Sequence, residues 1–241
     1  MEIFKSWLVE KYIAHRGLHD DQSAENSLSA FEKAIDKGYV IELDVQQIAD
    51  GTVVVFHDSS LSRLTGQDGY VKYLLKEDLS SCYLSGTKET IPTFEEALNL
   101  INGRTPIIIE IKNIEKPGKL ESQVLEILRN YNGEFAIMSF NPFVLKWFKD
   151  NAPNILRGQL SSYLKNENMG FLKKLALRKM MLNNITHPDF IAYCAQNLPN
   201  RYVRKYKNLP LLAWTVRSQE EYMKVVKHCD NIIFEGFQPK I

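Results

Sequence analysis

The sequence is poor in cysteine and has no long apolar run. Its three cysteines, Cys82, Cys194 and Cys229, are far apart and odd in number, so they predict neither a disulfide framework nor a CxxC metal pair. This usage favours a reducing compartment. No stretch approaches the roughly 18 apolar residues of a membrane span, and Glu10 and Lys11 interrupt any signal-like run near the N-terminus. We therefore expect a cytoplasmic protein without membrane contact.

An excess of charge of either sign is also missing. Thirty basic residues stand against 29 acidic residues, which gives a formal net charge of +1. Nucleic-acid-binding proteins normally show a basic excess, so nucleic acid is not an expected partner. The 241 residues, 44% of them hydrophobic, suffice for a sizeable core, and this length is usual for one α/β barrel. A single domain spanning residues 1–241 is expected.

Short apolar segments alternate with helical segments along the chain. The predicted strands are 12–15, 40–45, 106–111, 135–139, 155–160, 189–193, 211–216 and 231–235. The predicted helices are 26–37, 93–102, 119–131, 142–150, 167–182, 197–206 and 218–229. Such alternation predicts a parallel sheet covered by helices. Eight strands favour an α/β (β/α)8 TIM barrel, and an open doubly wound sheet is the alternative.

One segment departs from this alternation. After the second strand, Asp50-Gly51 predicts a type I′ turn, and the chain returns as a β-branched arm. Residues 59–91 then lack clean periodicity and are rich in Ser, Gly, Thr and Leu. Long irregular segments inside compact domains are usually functional, so 59–91 is interpreted as an insertion above the mouth of the barrel.

Acidic residues interrupt two strands that are otherwise apolar. Glu42 and Asp44 alternate with apolar residues on the second strand, and Glu110 and Lys112 do so on the third. If the apolar faces pack against helices, these polar side chains point into the barrel. Two carboxylates about 4 Å apart repel by about 4 kcal/mol at an effective dielectric constant near 20. One lysine cannot offset three acids, so a Mg²⁺ or Ca²⁺ site is predicted; a solvated strand face is the alternative.

Histidines and cations occur at the ends of the same strands. His15 and His57 each close a strand, where barrel active sites are built, and an imidazole can act as acid or base at neutral pH. Arg16 and Lys112 could contact a phosphate. The alternatives are that the histidines are structural and that both cations merely pair with neighbouring acids.

These residues lie in motifs that resemble one known family. The motifs are "IAHRG" (13–17), "AENSLSAFEKAIDKG" (24–38), "IELDV" (41–45), "DGTVVVFHD" (50–58), "IPTFEEAL" (91–98), "IEIK" (109–112), "SFNP" (139–142) and "WTV" (214–216). In order and spacing they resemble the glycerophosphodiester phosphodiesterase family, from residue 13 to about residue 237. No single motif identifies this family, but the order of all the motifs together is specific for it.

The resemblance implies a (β/α)8 barrel with a small cap in the insertion. It implies one divalent metal ion, Mg²⁺ or Ca²⁺, on Glu42, Asp44 and Glu110, and a general acid/base pair formed by His15 and His57. The residues that match the family's remaining site positions are Arg16 and Lys112 as phosphate contacts, Trp214 as an aromatic on the alcohol side, and Glu25 and Asn26 as orienting groups.

The reaction implied is hydrolysis of a glycerophosphodiester to glycerol 3-phosphate and an alcohol. Water or the substrate's own hydroxyl could be the nucleophile, and either histidine could be the acid. The sequence departs from the family pattern at "QQIA" (46–49) and at Glu235, which affects the expected substrate preference. The alternatives are a lysophospholipid or sphingomyelin phosphodiesterase of the same superfamily, for which apolar residues in 70–75 would be useful, and a non-catalytic barrel that binds phosphorylated metabolites.

Overall fold

The structure is a computed structural model that describes residues 3–113, 115–165 and 169–240. It divides into two compact units. The N-terminal unit is Ala14–Phe135, and the C-terminal unit is Met1–Ile13 together with Ala136–Ile241. Two compact units within one chain do not show whether the chain is one domain or two. The single domain 1–241 therefore stays a prediction.

The strands follow the predicted order and reproduce the predicted positions closely. They are β1 Ile13–Ala14, β2 Val40–Gln47, β3 Val53–Val55, β4 Ile107–Ile111, β5 Phe135–Ser139, β6 Leu156–Ser161, β7 Phe190–Cys194, β8 Leu211–Val216 and β9 Asn231–Phe234. The order in the sheet is β1-β9-β8-β7-β6-β5-β4-β2-β3, and β1 also pairs with β2. Apart from the hairpin arm β3, eight strands thus form a closed circuit, which confirms the (β/α)8 barrel.

The helices lie between the strands. They are α1 Trp7–Glu10, α2 Leu28–Asp36, α3 Ser62–Thr65, α4 Phe94–Ile101, α5 Lys119–Leu128, α6 Pro142–Asn151, α7 Phe171–Arg178, α8 Asn183–Thr186 and α9 Gln219–Val225. The helix predicted at 167–182 is shorter as observed, and its first two residues fall outside the described residues. The described helices include none that is both long enough and apolar enough to cross a membrane.

The helix predicted at 197–206 is wrong. Two short 3₁₀ segments, Ala195–Asn197 and Val203–Tyr206, occupy this region instead. Leu198 between them is extended, with φ −101° and ψ 147°, because the ring of the following Pro199 disfavours the helical conformation at the preceding residue.

The register between β2 and β4 explains why the acidic side chains are neighbours. The two strands are parallel, and their register places Asp44 opposite Glu110 and Leu43 opposite Ile109. All residues of β4 and the first six of β2 are buried. Since side chains alternate along a strand, Glu42 and Asp44 share one face of β2, while Ile41, Leu43 and Val45 lie on the other.

The hairpin after β2 differs from the predicted turn. β2 and β3 are antiparallel, with Val45 opposite Val55, and the Gly51 N–H donates to the Ile48 carbonyl at 3.0 Å. Gly51 has φ +94° but Asp50 does not have a positive φ, so the type I′ turn is wrong because that turn needs positive φ at both central residues. The side chain of Asp50 instead accepts a hydrogen bond from the Thr52 N–H at 2.9 Å.

The insertion 59–91 is folded around a hydrophobic cluster that it shares with the hairpin and with Ala24. It contains α3 and the 3₁₀ segments Val71–Tyr73 and Lys76–Ser81. Its buried apolar residues pack with two residues of the hairpin arm, Val54 and Phe56; they are Leu61, Leu64, Val71, Leu79, Cys82, Leu84 and Ile91. The insertion is therefore anchored to the segment that carries His57.

Gly17 permits the tight turn that carries His15 and Arg16 away from β1. Its φ is +79°, and a Cβ atom at this position would lie 2.9 Å from the carbonyl carbon of Ala30. Gly38 has a similar φ of +70° with nothing within 4 Å of its virtual Cβ. A comparison of substitutions at the two glycines therefore separates the cost of a positive φ from the cost of steric overlap.

We expect Gly17→Ala to destabilise the protein more than Gly38→Ala. Both variants pay for a positive φ, about 1–2 kcal/mol, but only Gly17→Ala must also displace backbone, which adds about 1–3 kcal/mol. Urea denaturation of both variants measures the difference. Equal losses of unfolding free energy in the two variants would contradict the predicted steric overlap between position 17 and Ala30.

Candidate active site

The N-terminal unit brings most of the predicted site residues together at the ends of neighbouring strands. His15 and Arg16 follow β1, Glu42 and Asp44 lie in β2, and His57 follows β3. Glu110 lies in β4, and Lys112 comes directly after it. Strand ends of this kind are where barrel enzymes carry their catalytic side chains.

Three carboxylates form the centre of this group. One oxygen each from Glu42, Asp44 and Glu110 lies within 4.8 Å of the others. Glu42 and Asp44 are 0% exposed and Glu110 is 7% exposed. Like charges this close and this deeply buried strongly disfavour full ionisation.

Two cations partly compensate for the acids. Arg16 Nε lies 3.2 Å from Asp44 Oδ2. Lys112 Nζ lies 2.9 Å from Glu110 Oε1 and 3.6 Å from Asp44 Oδ1. Although burial alone would raise the pKa of Asp44, Lys112 and Arg16 hold that pKa well below its usual range. Asp44 is therefore the acid that these cations keep ionised.

The pKa of Glu42 shifts in the opposite direction to that of Asp44. Burial, together with the charges of Asp44 and Glu110, raises the pKa of Glu42 well above its ordinary value. The backbone N–H of Arg16 donates to Glu42 Oε2 at 3.0 Å, but this contact does not reverse the direction of the shift. In the absence of an added positive charge, the cluster therefore favours a protonated Glu42.

The donor set fits a hard divalent cation. Glu42 Oε1 and Asp44 Oδ1 are buried and have no hydrogen-bond partner among the described residues. An unsatisfied buried carboxylate oxygen is costly, and a cation bound between these oxygens would satisfy both. Mg²⁺ and Ca²⁺ prefer oxygen ligands of this kind. Residues Glu42, Asp44 and Glu110 would hold such an ion.

Asn26 fixes the orientation of the Asp44 carboxylate. Asn26 Nδ2 donates to Asp44 Oδ2 at 2.9 Å, and Asn26 Oδ1 accepts from the Asp44 N–H at 3.3 Å. Its own N–H donates to the Arg16 carbonyl at 2.9 Å. Asn26 adopts φ +59°, a conformation that asparagine tolerates better than most residues. One side chain thus ties the turn after β1 to the acids of β2.

The two histidines have different surroundings. His15 is 8% exposed, and its Nε2 lies 4.0 Å from Glu42 Oε2. The His57 side chain is 30% exposed, and its Nδ1 lies 2.6 Å from Asp58 Oδ1. Because a carboxylate oxygen only accepts, this contact favours the form of His57 that carries a proton on Nδ1.

Asp58 and Arg63 belong to the site although sequence reasoning did not single them out. Asp58 binds Arg63 as well as His57. Burial opposes ionisation of Asp58, but the hydrogen bonds from Arg63 and His57 prevail and lower its pKa to about 2. The signal for Asp58 was its position next to His57. Arg63 lies in "SRLTG" (62–66), which falls where the family that the sequence resembles usually has an Arg-Thr-Thr type run, but this resemblance assigned Arg63 no role.

Glu25 lies between two arginines. It accepts hydrogen bonds from Arg16 Nη1 and from both Nη atoms of Arg63. Burial would raise the pKa of Glu25, but Arg63 and Arg16 together lower it below its ordinary value. Glu25 is therefore an ionised link between the turn after β1 and the insertion.

Trp214 lies in β8, in the C-terminal unit. Its ring packs edge-on against Phe140, with 5.4 Å between the centroids. The indole Nε1 is buried without a hydrogen-bond partner among the described residues. Its predicted role at the alcohol side of the substrate stays a prediction.

Comparison with known families gives one match that spans most of the chain. Residues 15–233 match the model of the glycerophosphoryl diester phosphodiesterase family. The matched region includes every predicted site residue from His15 to Trp214.

Individual relatives agree with the family match. A glycerophosphodiester phosphodiesterase of Caldanaerobacter subterraneus subsp. tengcongensis is 31% identical over 231 residues, covering 89% of each chain. The solved structure of an Oleispira antarctica phosphodiesterase in complex with the product sn-glycerol-3-phosphate superposes with a TM-score of 0.76 at 25% identity, covering 95% of this chain and 93% of that one. Human lysophospholipase D is 32% identical over 164 residues, covering 61% of this chain and 51% of its own length.

We expect Glu42→Gln to stabilise the ion-free protein and to abolish its stabilisation by divalent ions. The pKa of Glu42 is raised by folding, so native stability declines as pH rises above the unfolded pKa of this carboxyl. Glutamine cannot ionise and removes that decline, but its amide oxygen is a poorer ligand for the cation. Thermal unfolding at pH 7 to 8, in chelator and then in Mg²⁺ or Ca²⁺, measures both effects.

Glu95→Gln, an exposed substitution on α4, is the control and should behave like the wild type. A Glu42→Gln protein that keeps the full ion-dependent rise in unfolding temperature would argue against Glu42 as a ligand.

Ion binding should release protons. Below the raised pKa of Glu42 the ion-free cluster holds a proton, and a cation can bind only the carboxylate form. The apparent affinity should therefore fall as pH falls. Isothermal titration calorimetry in two buffers of different ionisation enthalpy measures the release, and identical heats in both buffers would contradict it.

Proposed function

Because the chain belongs to the glycerophosphoryl diester phosphodiesterase family, we propose that it hydrolyses glycerophosphodiesters to glycerol 3-phosphate and an alcohol, using one bound Mg²⁺ or Ca²⁺ and histidine acid/base catalysis. The observation that carries this proposal is the buried cluster of Glu42, Asp44 and Glu110, which is flanked by two cations. Two of its oxygens have no hydrogen-bond partner in the part of the chain that the structure describes. The glycerol 3-phosphate complex of the Oleispira antarctica relative supports the product class.

The charges of the site suit a phosphodiester. With all three acids ionised, Arg16 and Lys112 leave one negative charge uncompensated. Glu25 and Asp58, set against Arg63, add one more negative charge. A divalent ion offsets both, so the anionic diester no longer meets a net negative site. When bound, that ion would act as a Lewis acid on the phosphate oxygens. Arg16 would offer its planar guanidinium to the phosphate and Lys112 a compact ammonium, so both would hold the diester and offset the charge that develops during attack.

His15 and His57 are proposed as the acid/base pair. The Nδ1 atom of His57 is committed to Asp58, which leaves Nε2 to exchange a proton with the substrate. His15 lies beside Glu42, at the ion-binding side. One histidine would remove the proton of the nucleophile and the other would protonate the departing alcohol oxygen. Both nucleophiles, water and the substrate's own hydroxyl, are compatible with this division of roles.

The remaining predicted residues are proposed in supporting roles. Asn26 holds Asp44 and Glu25 holds Arg16, so both would orient groups that contact the ion or the phosphate. Trp214 would line the alcohol side of the substrate, a role that rests on the family resemblance alone.

A second candidate substrate class is lysophospholipids. Four side chains of the insertion are apolar or aromatic and exposed: Tyr70 at 55%, Tyr73 at 69%, Leu75 at 42% and Tyr83 at 54%. An acyl chain could contact such a surface, and one relative is a lysophospholipase D. The chemistry at the phosphate would be the same, so only the substrate would differ.

The decisive test is release of glycerol 3-phosphate from glycerophosphocholine and glycerophosphoethanolamine. We expect turnover with Mg²⁺ or Ca²⁺, loss of turnover in EDTA, and recovery when the ion is returned. His57→Ala should lower kcat by about 10²–10⁴-fold, the usual contribution of a general acid or base. His228→Ala, remote in sequence and outside the predicted site, is the matched control.

Each result has a defined meaning. A folded protein that releases nothing from soluble diesters with either ion, but releases choline from lysophosphatidylcholine, would move the assignment to lysophospholipids. A folded protein that only binds phosphorylated metabolites, with no turnover in any condition, would refute catalysis.

A further inference from the structure

Arg63 joins two carboxylates of the site through one guanidinium group. Its Nε donates to Asp58 Oδ2 at 2.5 Å. Its Nη1 donates to Glu25 Oε2 at 2.7 Å, and its Nη2 donates to Glu25 Oε1 at 2.8 Å. Arg63 is carried by the short helix α3 of the insertion, whereas both carboxylates lie outside the insertion.

These two carboxylates each hold a residue proposed to touch the substrate. The second oxygen of Asp58 lies 2.6 Å from His57 Nδ1, and Glu25 accepts from Arg16 Nη1. A continuous chain of charged side chains therefore runs from His57 through Asp58, Arg63 and Glu25 to Arg16. Arg63 is the central member of this chain.

Only an arginine can satisfy this arrangement. Three nitrogens of one planar group are used at once, in the fixed fork geometry that lysine does not have. The side chains of Asp58 and Glu25 are only 23% and 12% exposed, so water would replace Arg63 incompletely. Without the guanidinium, the Asp58 carboxylate would lose the contact that fixes its rotation.

The insertion holds Arg63 in place. Leu61, directly before α3, and Leu64, within it, are 3% and 7% exposed and belong to the hydrophobic cluster of the insertion. The helix ends at Thr65, and the following Gly66, with φ +69°, caps it by donating its N–H to the Ser62 carbonyl. The position of the guanidinium thus depends on the folded core of the insertion.

We propose that Arg63 is a positioning residue that acts through Asp58: it fixes the carboxylate of Asp58 on Nδ1 of His57 and so presents Nε2 of His57 to the substrate. The catalytic consequence rests on the proposed function. The insertion then contributes to the active site directly, because its fold determines the orientation of a catalytic histidine.

The test compares Arg63→Met and Arg63→Lys with Arg104→Met. Arg104 is a matched control, because it makes two hydrogen bonds of 2.6 Å to Glu32 and its side chain is 42% exposed, against 48% for Arg63. We expect Arg63→Met to lower kcat by about 10–100-fold while KM changes less than about 3-fold. Arg63→Lys should restore little, and Arg104→Met should keep wild-type kcat.

A spectroscopic measurement tests the positioning itself. In protein labelled with ¹⁵N-histidine, the signals of His57 are identified by their loss in His57→Gln. We expect the neutral ring of the wild type to carry its proton mainly on Nδ1, and the Arg63 variants to show a mixture of the two tautomers. This measurement needs no turnover, so it distinguishes a failure of the positioning proposal from a failure of the proposed function.

A double-mutant cycle shows whether Arg63 acts through Asp58. If Arg63 acts through Asp58, the combination of Asp58→Asn with Arg63→Met should lower kcat little more than Asp58→Asn alone. Wild-type kcat in a folded Arg63→Met protein would overturn the proposal. So would lost activity with unchanged His57 signals, or multiplicative effects in the cycle. If Arg63→Met fails to fold, the same criteria apply to Arg63→Lys.

Discussion

The mutual repulsion of three buried carboxylates is the constraint on which the rest of the site depends. Parallel pairing of β2 with β4 places Asp44 opposite Glu110, and strand alternation adds Glu42 on the same face. Backbone hydrogen bonding therefore brings together side chains that would separate in solution. Arg16, Lys112 and Asn26 surround the cluster because each removes part of this repulsion or fixes a carboxylate against it. Glu42 Oε1 and Asp44 Oδ1 still lack a hydrogen-bond partner among the described residues, so these neighbours do not satisfy the cluster completely.

Residues within the strands and residues in the segments after the strands are held in place by different kinds of contact. β2 and β4 supply the acids from regular structure, whose geometry is fixed by the sheet. His15, Arg16 and His57 come from segments directly after strands, where the backbone is less constrained. Arg16 and His57 are fixed there by side-chain hydrogen bonds to Glu25 and Asp58. The strands thus hold the proposed ion ligands, while a network of charged groups holds residues proposed to contact the phosphate and exchange protons.

Sequence reasoning predicted the parts that follow from periodicity. The eight strands and the carboxylates of β2 and β4 were predictable because alternation fixes which side chains share a face. The helix at 197–206 failed because one proline outweighed the pattern around it, and the turn at Asp50-Gly51 failed because several hairpin turns accept the same two residues. Arg63 was missed because its contact with Asp58 depends on how the aperiodic insertion folds, which neither alternation nor helical spacing encodes.

The fold of the insertion has a consequence for how such a protein can change during evolution or engineering. Surface insertions are usually treated as exchangeable modules, since they tolerate substitution and length change better than strands do. Here the insertion packs on Val54 and Phe56 of the hairpin arm and shares an arginine with Asp58 and Glu25. A graft that brings a different insertion must therefore also bring a guanidinium to the same place. Substitutions on the exposed side of the insertion leave these contacts untouched, whereas substitutions on its inner side change the surroundings of His57 and Arg16.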